Sequence, residues 1–184
     1  ARLLAPADYG VIAMLAIFLA VSQTFIDSGF ANAVIRKIDR TEKDMATMFF
    51  FNIGMSLVCY TVIFLAAPFI ASFYNMPELT LVLRGLALKL IFQSFSTVQV
   101  TNLTIKVDFK KQAKISLSAA ILSGIVGIYF AYKGYGVWSL VIQSLFSTLY
   151  CAIVYWLAVR WHPTCFFSKE SFRYLFSYGS KIVA

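Results

Sequence analysis

Residues 79–103, LTLVLRGLALKLIFQSFSTVQVTNL, are apolar over a length that crosses a bilayer, yet they carry Arg84 and Lys89. A helix starting near Leu79 rises about 1.5 Å per residue, which puts Lys89 roughly 15 Å into a hydrocarbon layer about 30 Å thick. An ammonium at that depth costs about 2.5–3.5 kcal/mol even on the most lenient insertion scale, so it is expected to face a wet or polar interior. Arg84, about 7.5 Å deep, can snorkel to the headgroups. Helical spacing separates the two cations further. Gly85, Gln93 and Ser96 share a small and polar stripe with Lys89, whereas Leu88, Ile91 and Phe95 share an apolar one with Arg84. Lys89 is therefore expected to look inward and Arg84 toward lipid. Two roles stay open for Lys89: a cavity-lining contact to an anionic group, or a structural pair with a buried acid.

The rest of the chain repeats the same length of apolar run. With 60% hydrophobic and 13% charged residues, the 184-residue chain lies outside the soluble range. The reading is all-α, a polytopic transmembrane helix bundle, in which lipid-facing helices satisfy their own backbone groups. Spans are expected at about 11–35, 46–73, 79–103, 115–132 and 137–159, with residues 1–160 forming one bundle. Residues 2–5 read as the tail of an earlier helix, followed by a short turn at 6–9 in which Asp8 caps the next span. Residues 161–184 hold either a short interfacial helix leading into a further span or simply the start of a long seventh helix. The chain opens on ARLLAPADYG, which has no initiator Met and no charged-then-apolar leader pattern, and closes on an apolar turn, so a fragment is expected.

Within the spans, polar residues recur at helical spacing. In the first, Ala13, Ala16, Ala20, Gln23, Asp27 and Ala31 make a small-residue face that ends in polar groups, which turns Asp27 into the bundle. An acid there is either functional, or a cap or partner for a lysine; whether the helix breaks at Ser28–Gly29 the spacing leaves open. In the second span Asn52, Ser56, Cys59 and Tyr60 share a face, and Pro68 is expected to kink its far end. Ala120 and Gly124, and Ser123 and Gly127, allow close backbone approach, and Ser139, Gln143 and Ser147 line one face of the last span. Trp138, Trp156 and Trp161 stand where aromatic belts form. Cys59, Cys151 and Cys165 show no ligand spacing and read as packing residues, and His162 sits beside Pro163 at a helix end; no metal or other cofactor is expected.

Charge then orients the bundle. Arg36, Lys37, Arg40 and Lys43 fall in one loop, Lys106, Lys110, Lys111 and Lys114 in the next but one, and Arg160, Lys169, Arg173 and Lys181 after the last span; the alternate loops hold only Arg2 and Lys133. Such a bias places the three basic loops in the cytoplasm. Anionic headgroups account for the net charge of +8 without nucleic acid.

Four segments in order, FIDSGFANAVIRKIDRTEKD (25–44), NMPELTLVLRGLAL (75–88), VDFKKQAKIS (107–116) and GYGVWSLVIQ (134–143), resemble the polysaccharide-repeat flippases of the multidrug, oligosaccharidyl-lipid and polysaccharide exporter superfamily. The resemblance implies the N-terminal lobe of a two-lobe exporter in the bacterial cytoplasmic membrane, with a V-shaped cavity between lobes. It implies a non-enzymatic transporter that flips undecaprenyl-pyrophosphate-linked oligosaccharide, embedded in membrane lipid and working beside a polysaccharide polymerase and chain-length machinery. An ion-coupled multidrug exporter of the same superfamily is the alternative. Under this resemblance Lys89 and Arg84 would meet the pyrophosphate, while Asn52, Gln93, Ser96, Gln143 and Ser147 would bond sugar hydroxyls. Asp27 would couple transport to protons or sodium. Catalysis would need a cluster of acids or His in a sizeable loop, which the short loops do not offer.

Overall fold

A computed structural model describes residues 6–27, 30–159, 161–163 and 167–183. The helices are α1 (Pro6–Asp27), α2 (Phe30–Arg36), α3 (Glu42–Phe73), α4 (Leu79–Ile105), α5 (Phe109–Tyr132), α6 (Val137–Val159) and α7 (Lys169–Val183), and no strand occurs among the described residues. Five stretches are long and apolar enough to cross a membrane: Tyr9–Arg36, which takes in α1 and α2, and then α3, α4, α5 and α6. The expected helix tail at 2–5, the break at Ser28–Gly29, and Arg160 and Cys165 lie outside the described residues.

Helix starts depart from the sequence reading where a local cap decides them. The expected turn at 6–9 is already helix, because proline at a first helical position loses no hydrogen bond. α3 begins at Glu42 because Asp44 reaches back and accepts the Thr41 N–H at 2.8 Å. α5 begins at Phe109, where Asp108 Oδ1 accepts the Lys111 N–H at 3.1 Å. Lys110, Lys111 and Lys114 consequently ride on the first turns of a helix rather than in a loop. Pro68 lies inside α3, which continues to Phe73. The turn between α5 and α6 takes Gly134 and Gly136 at φ 84° and 52°, a conformation that side chains disfavour.

α4 is the central element and packs against α1, α2, α3, α5 and α6. Its most apolar stretch is 44% buried, against 17–28% in the other four spans, so those turn most of their apolar surface outward while α4 is the most covered. Ile17, Val58, Leu65, Leu117, Ile125 and Leu157 are among the residues facing out, as a lipid solvent permits. Inside, Leu15, Ile63, Leu83, Leu86 and Leu90 form one apolar cluster, and Phe30, Met48, Phe49, Val98, Trp161 and Leu175 a second at the basic-loop end. Between α3 and α4 the hydroxyls of Ser56 and Ser94 meet at 3.1 Å in full burial, so Ser56 serves as helix-to-helix glue.

A polar clasp closes the basic-loop end. Asp44, fully buried, takes the Lys37 ammonium at 2.7 Å, and that ammonium lies 4.8 Å from the centre of the Tyr174 ring on α7. The Trp161 indole N–H donates to Glu42 at 2.9 Å and the Gln99 amide donates to the Trp161 carbonyl at 2.9 Å. Trp161 is thus an interior residue and not part of an aromatic belt. α7 is amphipathic: Ser171 and Leu175 are buried on its inner side while Arg173 and Tyr174 are exposed.

On α5 only one of the two small-residue pairs meets a neighbour. A Cβ at Gly127 would stand 2.6 Å from Gln143 Oε1 and 3.2 Å from Gln143 Cβ, whereas one at Gly124 would meet nothing within 4 Å. Gly127→Val is therefore expected to cost about 1–3 kcal/mol through overpacking, and Gly124→Val to stay within about 0.5 kcal/mol of wild type. Thermal melting in detergent micelles reads both; equal melting temperatures would reject the close α5–α6 contact.

Candidate functional site: a polar groove between α1–α2 and α4

The residues singled out on α4 divide between two of its faces, and those on α3 and α6 lie apart from both. The face toward α1 and α2 forms one wall of a groove of about 380 Å³, lined on that wall by Gln93, Ser96, Thr97 and Thr101, and on the other by Asp27 and Asn32. The structure thus brings together Asp27, Gln93 and Ser96. Asp27, at the end of α1, accepts a hydrogen bond from the Gln23 amide at 3.0 Å.

The groove hydroxyls have a defined polarity. Ser96 and Thr97 both donate to the Gln93 carbonyl, at 2.9 and 3.0 Å, and Thr104 donates to the Val100 carbonyl at 2.9 Å. With those protons committed to the helix, the oxygens offer lone pairs to whatever fills the groove. Together with the Asp27 carboxylate they make the surface rich in acceptors, and no Lys or Arg among the described residues lines it. It suits hydroxyl or ammonium donors and repels a phosphate.

Lys89 lies one helical turn before Gln93 on the flank of this face, half-buried, and is absent from the groove wall. Among the described residues it has no ion pair or hydrogen bond; the acid that a structural pair requires is not there. Arg84 is on another face. Its guanidinium stacks 3.9 Å from the Phe64 ring centre and its Nε–H donates to the Phe64 carbonyl at 3.3 Å, so it is tied to an exposed side of α3. Asn52 is fully buried inside α3, and neither of its amide atoms has a partner among the described residues. Gln143 packs on Gly127 of α5, on the far side of α6. Neither reaches the groove.

Asn32, Thr97, Thr101 and Thr104 line the groove without having been singled out in the sequence. The threonines carried a signal, since 97, 101 and 104 follow the four-and-three step of one helix face. Asn32 carried none, because its place depends on how α2 packs.

Five stretches long and apolar enough to cross a membrane, packed around α4, define a multi-pass membrane protein. The chain belongs to the family described as polysaccharide biosynthesis proteins, whose profile matches residues 1–184. Over 167 residues it is 26% identical to the teichuronic acid biosynthesis protein TuaB of Bacillus subtilis (strain 168), covering 86% of this chain and 33% of that one. Over 181 residues it is 24% identical to the succinoglycan biosynthesis transport protein ExoT of Rhizobium meliloti (strain 1021), covering 97% and 37%. A third relative, the lipopolysaccharide biosynthesis protein WzxC of Escherichia coli (strain K12), is 25% identical over 125 residues, covering 66% and 25%. The chain therefore spans between a quarter and somewhat over a third of these relatives. No solved structure matches it.

Since Arg84 stacks on Phe64 and the groove wall is open, Arg84→Ala is expected to cost about 1 kcal/mol of stability, and Gln93→Ala no more than about 0.5 kcal/mol. Melting curves of the two variants in micelles check this. The reverse order would mean that Gln93 packs and Arg84 does not.

Proposed function

We propose that this chain is the N-terminal lobe of a flippase that carries undecaprenyl-pyrophosphate-linked oligosaccharide repeat units across the bacterial cytoplasmic membrane. The observation that carries the reading is the pairing, on one face of α4, of an acceptor-lined groove with an ammonium one turn away that has no partner among the described residues. The two parts match the two chemistries of such a cargo. Sugar hydroxyls donate to Asp27, Thr97 and Thr101, and the diphosphate pairs with Lys89, where a partly desolvated charge pair is stronger than in water. The prenyl tail stays in lipid along the outward-facing apolar surface. Membership of a polysaccharide biosynthesis family, with relatives named for teichuronic acid, succinoglycan and lipopolysaccharide, supports this cargo over a cationic drug.

In this reading the basic loops face the cytoplasm, so the groove, which lies toward their end of α4, opens first to the side where the cargo is made. Rocking against a second lobe exposes it to the other side. Asp27, held by Gln23, is the group we assign to coupling, to protons or sodium.

The experiment uses the full-length protein in its own host. A deletion strain is expected to accumulate lipid-linked repeat units inside the cell, and Lys89→Ala is expected to abolish surface polymer at normal membrane protein levels, with Lys89→Arg retaining part of it. Normal polymer in the Ala variant would remove Lys89 from the mechanism, and a deletion strain without accumulated intermediate would reject the transport reading itself.

A further inference from the structure

At the end opposite the basic loops a second cavity, of about 290 Å³, opens where the α5–α6 turn folds against the start of α4; Val11, Glu78, Leu79, Tyr135, Val137 and Trp138 line it. Its composition differs from the groove. Two aromatic rings and one carboxylate converge on it, and no Lys or Arg among the described residues lines it. The Trp138 indole is seated on α4, since a Cβ at Gly85 would meet its Cζ3 at 3.5 Å and its Cη2 at 3.9 Å. It is still 40% exposed, and Tyr135 is 52% exposed, so both rings have surface left to offer a ligand. The Tyr135 ring is braced edge-on by Phe130 at 5.4 Å. Glu78 is exposed at the N-terminal boundary of α4, where its side chain caps nothing, and it has no bonding partner among the described residues.

The position of this cavity ties it to the groove. Leu79 and Val82 line it, and Gln93, Thr97, Val100 and Thr104 line the groove, all on one face of α4: the steps within each set are three or four, and the eleven residues from Val82 to Gln93 make about three full turns. Val82 and Gln93 are separated by roughly 16 Å of helix rise. Between them Leu86 and Leu90 are buried in the cluster that holds Leu15 of α1, an apolar plug with Lys89 on its flank. α1 spans the same interval, with Val11 at one cavity and Asp27 at the other.

The chemistry selects a ligand class. A phosphate would meet Glu78 with no cation to offset the repulsion, and an acyl chain would strip water from that carboxylate without replacing its hydrogen bonds. A pyranose satisfies both features: its C–H face packs on an aromatic ring, and its hydroxyls donate to a carboxylate. We infer that this cavity is a second saccharide-binding subsite, in which Trp138 and Tyr135 are stacking platforms and Glu78 is the hydroxyl acceptor for a neutral or amino sugar. It stands at the far end of the α1–α4 seam, beyond the Leu15–Leu86–Leu90 plug, and receives sugar that has passed Lys89. The assignment rests on the oligosaccharide transport proposed above.

The test uses the full-length protein in lipid nanodiscs and, as probe, the host polysaccharide's repeat unit freed of lipid and diphosphate, so that Lys89 is not engaged. Calorimetric titration of wild type is expected to show saturable binding. Trp138→Ala and Tyr135→Ala should each weaken it about tenfold, and Trp138→Phe should retain most of it because a ring face remains. Tyr135→Ala and Glu78→Gln lie outside the apolar core and keep the test standing if Trp138→Ala fails to fold. Affinity unmoved in these variants, or no saturable binding to wild type, would overturn the subsite and show Trp138 to be only a membrane-boundary anchor. The transport reading is scored separately by intermediate accumulation in the deletion strain: accumulation with unmoved affinities sinks this subsite alone. Trp138-dependent binding without accumulation upholds the subsite and sinks the transport reading.

Discussion

An ammonium about halfway along the most buried span, with no bonded carboxylate among the described residues, is the constraint on which the arrangement turns. In hydrocarbon that charge would be expelled, so the side chain needs water or an anion within reach. α4 is the span with the largest buried share, and Gln93 and Ser96, which follow Lys89 on its helix, line the groove toward α1 and α2. The other cation on the same helix is treated differently. Arg84 meets a ring and a backbone carbonyl of α3, whereas Lys89 has no partner among the described residues.

The polar groups around the seam divide into those that hold the bundle and those left open. Ser56, Ser94, Gln99 and the Asp44–Lys37 pair spend their hydrogen bonds between helices or on the linker to α7. The groove hydroxyls bond only to their own helix and keep their acceptor side free. That division separates glue from site more sharply than polarity does. Asn52 falls in neither group: it is buried, remote from the groove, and unpartnered among the described residues, a cost that an ordered water would remove.

Much of the architecture was legible because apolar length and charge alternation are properties of one segment at a time. Residue 79 as the start of α4 and the glycine turn at 134–136 both follow from local chemistry. What was not legible is which neighbour a face meets. Ser139, Gln143 and Ser147 are periodic, yet periodicity does not say that Gln143 packs on Gly127 of α5. Gly124 and Gly127 look alike in sequence, and only packing shows that one is crowded and the other open. Asn32 joins the site through the placement of α2, and Trp161 is drawn inside by Glu42, a residue far away in the chain. Caps moved the starts of α3 and α5 because Asp44 and Asp108 act a turn ahead of the apolar run that marks the span.

The most direct measurement is the water accessibility of position 89 itself. In full-length protein whose other cysteines are removed, a single cysteine at 89 is treated with a membrane-impermeant maleimide, in vesicles of both orientations. The account predicts labelling from at least one side, and slower labelling when lipid-linked oligosaccharide is present. A thiol at 89 that stays sealed from water under every condition would contradict it.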